Sequence, residues 1–167
     1  MCDAPPDLLK IKNVQPLLDR FGEWPCFHDS KIESIHLSTG DTENDVLPFL
    51  EIKIVLVDFV ECDYNEILKE IGEKESDVYD GKKGWHIVDN CIVTFKFTDV
   101  LVEYIKDFTY DNELEELIIK EIEPTQHNGH RFEIETPDGP SGVFFLHTKF
   151  KCREIEIVNL ELLSTKR

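Results

Sequence analysis

Leu50-Glu51-Ile52-Lys53-Ile54-Val55-Leu56-Val57-Asp58-Phe59 is the stretch whose periodicity decides the fold. Successive side chains of a strand point to opposite faces, so Leu50, Ile52, Ile54 and Leu56 share one face. On the other face Glu51 and Lys53 give way to Val55, Val57 and Phe59, which predicts a central strand whose second half is covered on both sides. Downstream, Cys91, Val93, Phe95 and Phe97 alternate with Ile92, Thr94, Lys96 and Thr98, the pattern of a half-buried strand with its odd-numbered face inward. Upstream, Lys31–Ser38 begins a similar alternation at Ile35 and Leu37; Ile32 is out of phase, which predicts a bulge or a late strand start.

Working outward, residues 100–108 suit a short strand. Residues 111–123 are ambiguous between helix and strand, and the β-branched pair Ile118-Ile119 favours strand for the second half. Arg131–Thr136 and Gly142–Phe150 read as strands joined by the turn-forming run Pro137-Asp138-Gly139-Pro140-Ser141. A last strand over 151–163 alternates imperfectly. Helices are few. Asp7 can cap a short turn with Leu8, Leu9 and Ile11 on one side, and Pro16 and Gly22 frame a helix over 15–21. Pro5-Pro6 forbids helix before that, so residues 1–7 read as a flexible leader. Residues 61–84 form an acidic insertion, with a narrow helical stripe at Ile67, Leu68 and Ile71 and an exposed loop between Gly72 and Gly84. The expectation is one α+β domain over residues 8–167, mainly antiparallel sheet of six or seven strands with a few short helices.

Thirty-five acidic residues against eighteen basic ones give a net charge of -17. That field repels phosphate backbones and anionic lipid, which argues against nucleic-acid and membrane-surface binding and for a basic protein partner. Five cysteines, Cys2, Cys26, Cys62, Cys91 and Cys152, are too scattered for a zinc knuckle or a compact disulfide framework. Cys91 lies inside a strand-like run and Cys152 at the start of another, which suits buried free thiols in a reducing compartment, and with no signal-like or membrane-length apolar run the cytoplasm is expected.

One constellation is dense: Trp24, Phe27, His28 and Asp29. An imidazole beside a carboxylate suggests an acid–base pair, but adjacent residues on extended backbone point apart unless a tight turn intervenes. The alternative is that Trp24 and Phe27 anchor the segment in the core while His28 or Asp29 bonds nearby backbone, or that the motif touches a partner. His127 and His130 flank a turn without an evident third metal ligand, and Gly81-Lys82-Lys83-Gly84 lacks the strand and helix of a phosphate cradle. No catalytic residue, cofactor site or metal site is assigned. The charge is instead local in two stretches: 61–81, with Glu66, Glu70 and Glu73, and 111–123, with Glu113 and Glu116. Either is a solvated face or a surface complementary to a basic protein.

The run Trp24-Pro25-Cys26-Phe27-His28-Asp29-Ser30-Lys31-Ile32 resembles the signature of the immunity protein 50 family, with looser similarity through Cys91–Phe97, Asn112 and Phe132 to about Val158. The resemblance implies an antidote that binds and neutralises a toxin without catalysis or cofactor. The acidic 61–81 stretch departs from that family's pattern. Set against this expectation are a small enzyme using His28 with a carboxylate from elsewhere, and a structural domain.

Overall fold

The computed structural model describes residues 7–70, 72–74, 81–106, 112–125, 129–137 and 146–163. They form nine strands, β1 (Ile11–Lys12), β2 (Lys31–Ser38), β3 (Phe49–Asp63), β4 (Lys83–Thr98), β5 (Leu101–Lys106), β6 (Ile118–Glu121), β7 (Phe132–Thr136), β8 (His147–Cys152) and β9 (Glu154–Leu162). Two helices, α1 (Gln15–Phe21) and α2 (Tyr64–Glu70), complete the α+β arrangement. One sheet runs β1-β9-β4-β3-β2 and the other β5-β8-β7-β6. All pairings are antiparallel except β1 with β9.

Registry explains why alternation was so clear in the middle of the chain. Leu50 lies opposite Phe97, Ile52 opposite Phe95, Ile54 opposite Val93 and Leu56 opposite Cys91, so the inward rows of β3 and β4 coincide. β9 extends two of these rows with Ile155 beside Phe97 and Ile157 beside Phe95. From the second sheet Phe150 meets Phe97 edge-on, with ring centres 4.9 Å apart, and a single cluster of buried side chains runs through both sheets.

The expected irregularity at Ile32 is present: the β2–β3 register shifts between Ile32 and Ser34, which turns Ile32 into the core. Pro16 starts α1, and Gly22 at φ 77 ends it, its N–H bonded to the Leu18 carbonyl. Asp7 accepts from the Leu9 N–H over a 3-10 turn, but Leu9 itself is exposed, because that turn is too short to present three residues to one side. The rest of the 1–7 leader lies outside the described residues.

Other expectations are corrected. Residues 61–63 and 83–84 continue β3 and β4, with Glu61 opposite Trp85 and Asp63 opposite Lys83, so the acidic insertion begins and ends inside a long hairpin. Lys83 and Gly84 are strand residues for the same reason. Most of the loop expected between Gly72 and Gly84 lies outside the described residues. Phe59 is exposed, since no element among the described residues covers its face there, and Leu37 is exposed although it lies opposite the buried Leu50, because β2 is the edge strand of the sheet. The break near residue 150 falls at Arg153, where the chain leaves β8 for β9 in the other sheet; Arg153 donates its N–H to Thr98 and pairs with Asp99 at 2.6 Å. A register shift between Thr94 and Phe95 then passes over Val158, which is why the alternation of 151–163 was imperfect. Of the segment 142–150 only the part from Leu146 is described, and β8 starts at His147.

Cys91 and Cys152 are buried free thiols, and burial pushes both thiol pKa values up, Cys152 strongly. Cys62 is also free. Cys26 departs from the expectation by being disulfide-bonded.

Gly40 marks the tightest point of the β2–β3 connection. It has φ +78, and a Cβ there would collide with the Val46 carbonyl oxygen and stand 2.7 Å from the Leu47 carbonyl carbon and 2.8 Å from the Pro48 nitrogen. These are backbone atoms held by the paired Asp41–Val46 bonds, 2.8 Å each way, and cannot swing aside. Gly40→Ala is expected to lower the unfolding free energy by about 2 kcal/mol, measurable as a reduced urea midpoint.

Candidate functional site

The Trp24–Asp29 segment sits where β2 begins. Trp24 and Phe27 are buried and form an aromatic triangle with Phe95, with ring centres 5.4, 6.2 and 6.0 Å apart. After this anchor the chain turns sharply: the Phe27 carbonyl accepts from the Ser30 N–H at 3.1 Å, and Asp29 takes φ 60. Aspartate tolerates this left-handed conformation better than most residues. The turn was the missing condition for His28 and Asp29 to meet, so the expectation that they point apart is corrected. His28 Nδ1 lies 2.9 Å from Asp29 Oδ2.

A second segment closes over the turn. The Asp29 N–H donates to the Leu114 carbonyl, Leu114 donates to Ser30, and Ile32 donates to Asn112. Lys31 and Glu113 form a bridge. Leu114 and Leu117 are buried, so the residues between and before them, Glu113, Glu115 and Glu116, lie toward the surface and are half-buried. Glu115 Oε2 lies 3.6 Å from His28 Nε2, and Glu113 lies 4.0 Å from the Lys31 ammonium. The result is an acidic strip of Asp29, Glu113 and Glu115 with His28 and Lys31 set into it, and Glu116 follows next in the chain. Glu115 was not singled out in the sequence, although it stands between two residues that were.

Chemically, Asp29 orients the imidazole as it would in a general base. The other ring nitrogen, His28 Nε2, lies 3.6 Å from Glu115 Oε2, beyond hydrogen-bond length. His28 is also nearly half exposed, with a side-chain exposure of 45%, so water reaches the pair freely.

The other acidic stretch is elsewhere. Glu66 is exposed on α2, Glu70 ends that helix and Glu73 is exposed beyond it. Lys31 pairs with Val55, and Glu61 lies six residues further along β3, so the two stretches stand about 20 Å apart along the sheet. Charge pairing is local to another surface. On the outer face of the second sheet Lys149 and Lys151 bind Glu133, Lys151 binds Glu103 and Lys120 binds Glu135, at 3.2–3.9 Å. His147 accepts or donates a 2.8 Å bond with the Tyr104 hydroxyl. His130 is buried, and His127 lies outside the described residues. No helix among the described residues is long and apolar enough to cross a membrane. Comparison with protein-family models, curated proteins and solved structures finds no match for this chain.

Proposed function

We propose that this chain is a non-catalytic protein-binding domain that captures a basic partner on the strip formed by Asp29, Glu113 and Glu115, with Glu116 next to it in the chain. The observation that carries the reading is the contrast between two surfaces. On the second sheet Glu103, Glu133 and Glu135 each have a lysine partner, whereas at the start of β2 two distant segments bring three carboxylates, Asp29, Glu113 and Glu115, together around His28 and a single lysine, Lys31. An excess of one sign, held on a rigid scaffold, speeds the approach of an oppositely charged protein and disfavours anionic ones. From the resemblance of residues 24–32 to immunity proteins, the partner we propose is a toxin domain, blocked by occupation of its positive surface. One His28 nitrogen lies 2.9 Å from Asp29 and the other 3.6 Å from Glu115, so the ring sits among carboxylates, in keeping with a binding surface for cations.

The test compares three immobilised forms in a lysate of the source cell: the unaltered chain, the triple variant E113Q/E115Q/E116Q, and the control E133Q/E135Q on the charge-balanced sheet. The unaltered chain and the control should retain a basic protein that elutes as ionic strength rises from about 0.05 to about 0.5 M. The triple variant should hold it at least about tenfold more weakly. Retention that ignores salt, or that both variants lose equally, overturns the assignment.

A further inference from the structure

Beyond Leu56 and Cys91 the β3–β4 hairpin leaves its neighbours. β2 pairs with β3 no further than Val55, and β9 reaches β4 no further than Cys91, so residues 57–63 and 83–89 form a two-stranded arm extending past the five-stranded sheet. A two-stranded ribbon alone is marginal in water and needs cover on at least one face. α2 supplies that cover. A Cβ on Gly84 would lie 2.7 Å from Ile67 Cδ1 and 3.1 Å from Tyr64 Cδ2, so the helix lies against the face of Gly84 and its partner Cys62. Asp63 accepts from the Asn65 N–H at 2.9 Å at the start of the helix.

Alternation places Phe59, Glu61 and Trp85 on the opposite face, which no element covers among the described residues. Trp85 is 65% exposed and Phe59 40%. Glu61 stands directly across from Trp85, and Phe59, two register pairs further in, is its diagonal neighbour on the same face. An exposed indole with a carboxylate directly across the ladder suits one type of side chain: a lysine or arginine stacks its cation on the ring and pairs with the acid. The neighbouring phenylalanine offers an apolar seat beside it. Nine acids against four lysines over residues 57–85 add long-range attraction of the same sign.

We infer that the bare face of this arm, Phe59, Glu61 and Trp85, is a docking surface for a segment of another protein that presents a lysine or arginine flanked by apolar side chains. The inference rests on the protein-binding reading above and locates a contact about 20 Å from the Asp29–Glu116 strip.

The probes are two short peptides, one alternating arginine with leucine and one alternating glutamate with leucine, titrated against the full chain. Of the two tryptophans, Trp24 is buried and Trp85 exposed, so acrylamide quenching of emission reports on Trp85. The arginine peptide should shift emission to the blue and shield Trp85 from acrylamide, and the glutamate peptide should do neither. Trp85→Ala should weaken arginine-peptide binding at least about tenfold, and Glu61→Gln about threefold or more. Because shielding is read on the unaltered chain, a folding defect in either variant does not decide the outcome. If the peptide binds while Trp85 stays quenchable, and E113Q/E115Q/E116Q abolishes binding, the arm proposal is wrong and the acidic-strip reading stands. If the arginine peptide binds nowhere, or the glutamate peptide binds as well, the arm proposal fails along with the electrostatic part of the function.

Discussion

Phe95→Ala is expected to lower the unfolding free energy by about 3–5 kcal/mol, seen as a lower urea midpoint at unchanged slope. Phe95 is fully buried, and its ring meets Trp24 at 6.2 Å, Phe27 at 6.0 Å and Phe97 at 6.0 Å. It lies on the central strand with Ile52 on one side and Ile157 on the other. Both neighbours are held by backbone ladders, so they cannot move in to fill the space, and the cost of a cavity adds to that of lost burial. Against a total stability of about 5–15 kcal/mol, this one substitution brings a domain of this size close to unfolding. The same change strips a ring from Trp24, so its emission should move to the red in the fraction that remains folded. A loss below about 1 kcal/mol would mean that the aromatic triangle is not packed as described.

Thr136→Val should cost about 2–4 kcal/mol, although the two side chains have nearly the same shape. The Thr136 hydroxyl donates to the Leu146 carbonyl at 2.7 Å and accepts from the Thr148 N–H at 2.9 Å, and all three residues are buried. A valine methyl leaves both backbone groups out of reach of water and without that partner, and each orphan carries a penalty of about 1–3 kcal/mol. Thr136→Ser keeps the hydroxyl and should recover most of the loss in the same denaturation assay. Equal stability of the valine and serine variants would show that the hydroxyl is dispensable.

The frame of the first sheet was legible because its inward rows obey a period of two over long runs. Leu50 to Leu56 and Cys91 to Phe97 are such runs, and even the break at Ile32 announced itself by falling out of phase. What escaped was set by distant partners. β1 is two residues long, too short for any period, and exists because Ile11 finds Ile155. The passage between sheets at Arg153 carries no glycine or proline; it is imposed by the Thr98 carbonyl and the Asp99 carboxylate. At the candidate site the anchors Trp24 and Phe27 stood out by their size and density. The pairing of His28 with Asp29 hung on one positive φ, and Glu115 on the closure of residues 112–114 over the turn, neither of which leaves a periodic trace.

The sheet order also constrains how the chain matures. β4 is flanked by β3, which precedes it directly, and by β9, which arrives about 60 residues later, after all four strands of the second sheet. At a synthesis rate of about 5–20 residues per second, the nascent chain carries an open β4 margin for several seconds. That margin, Cys91 to Thr98, is apolar on one face and lacks one row of hydrogen-bond partners, the features that invite adhesion between growing chains. The first sheet is therefore completed only when β9 arrives, and a product truncated before Glu154 should accumulate as aggregate instead of as a smaller folded protein.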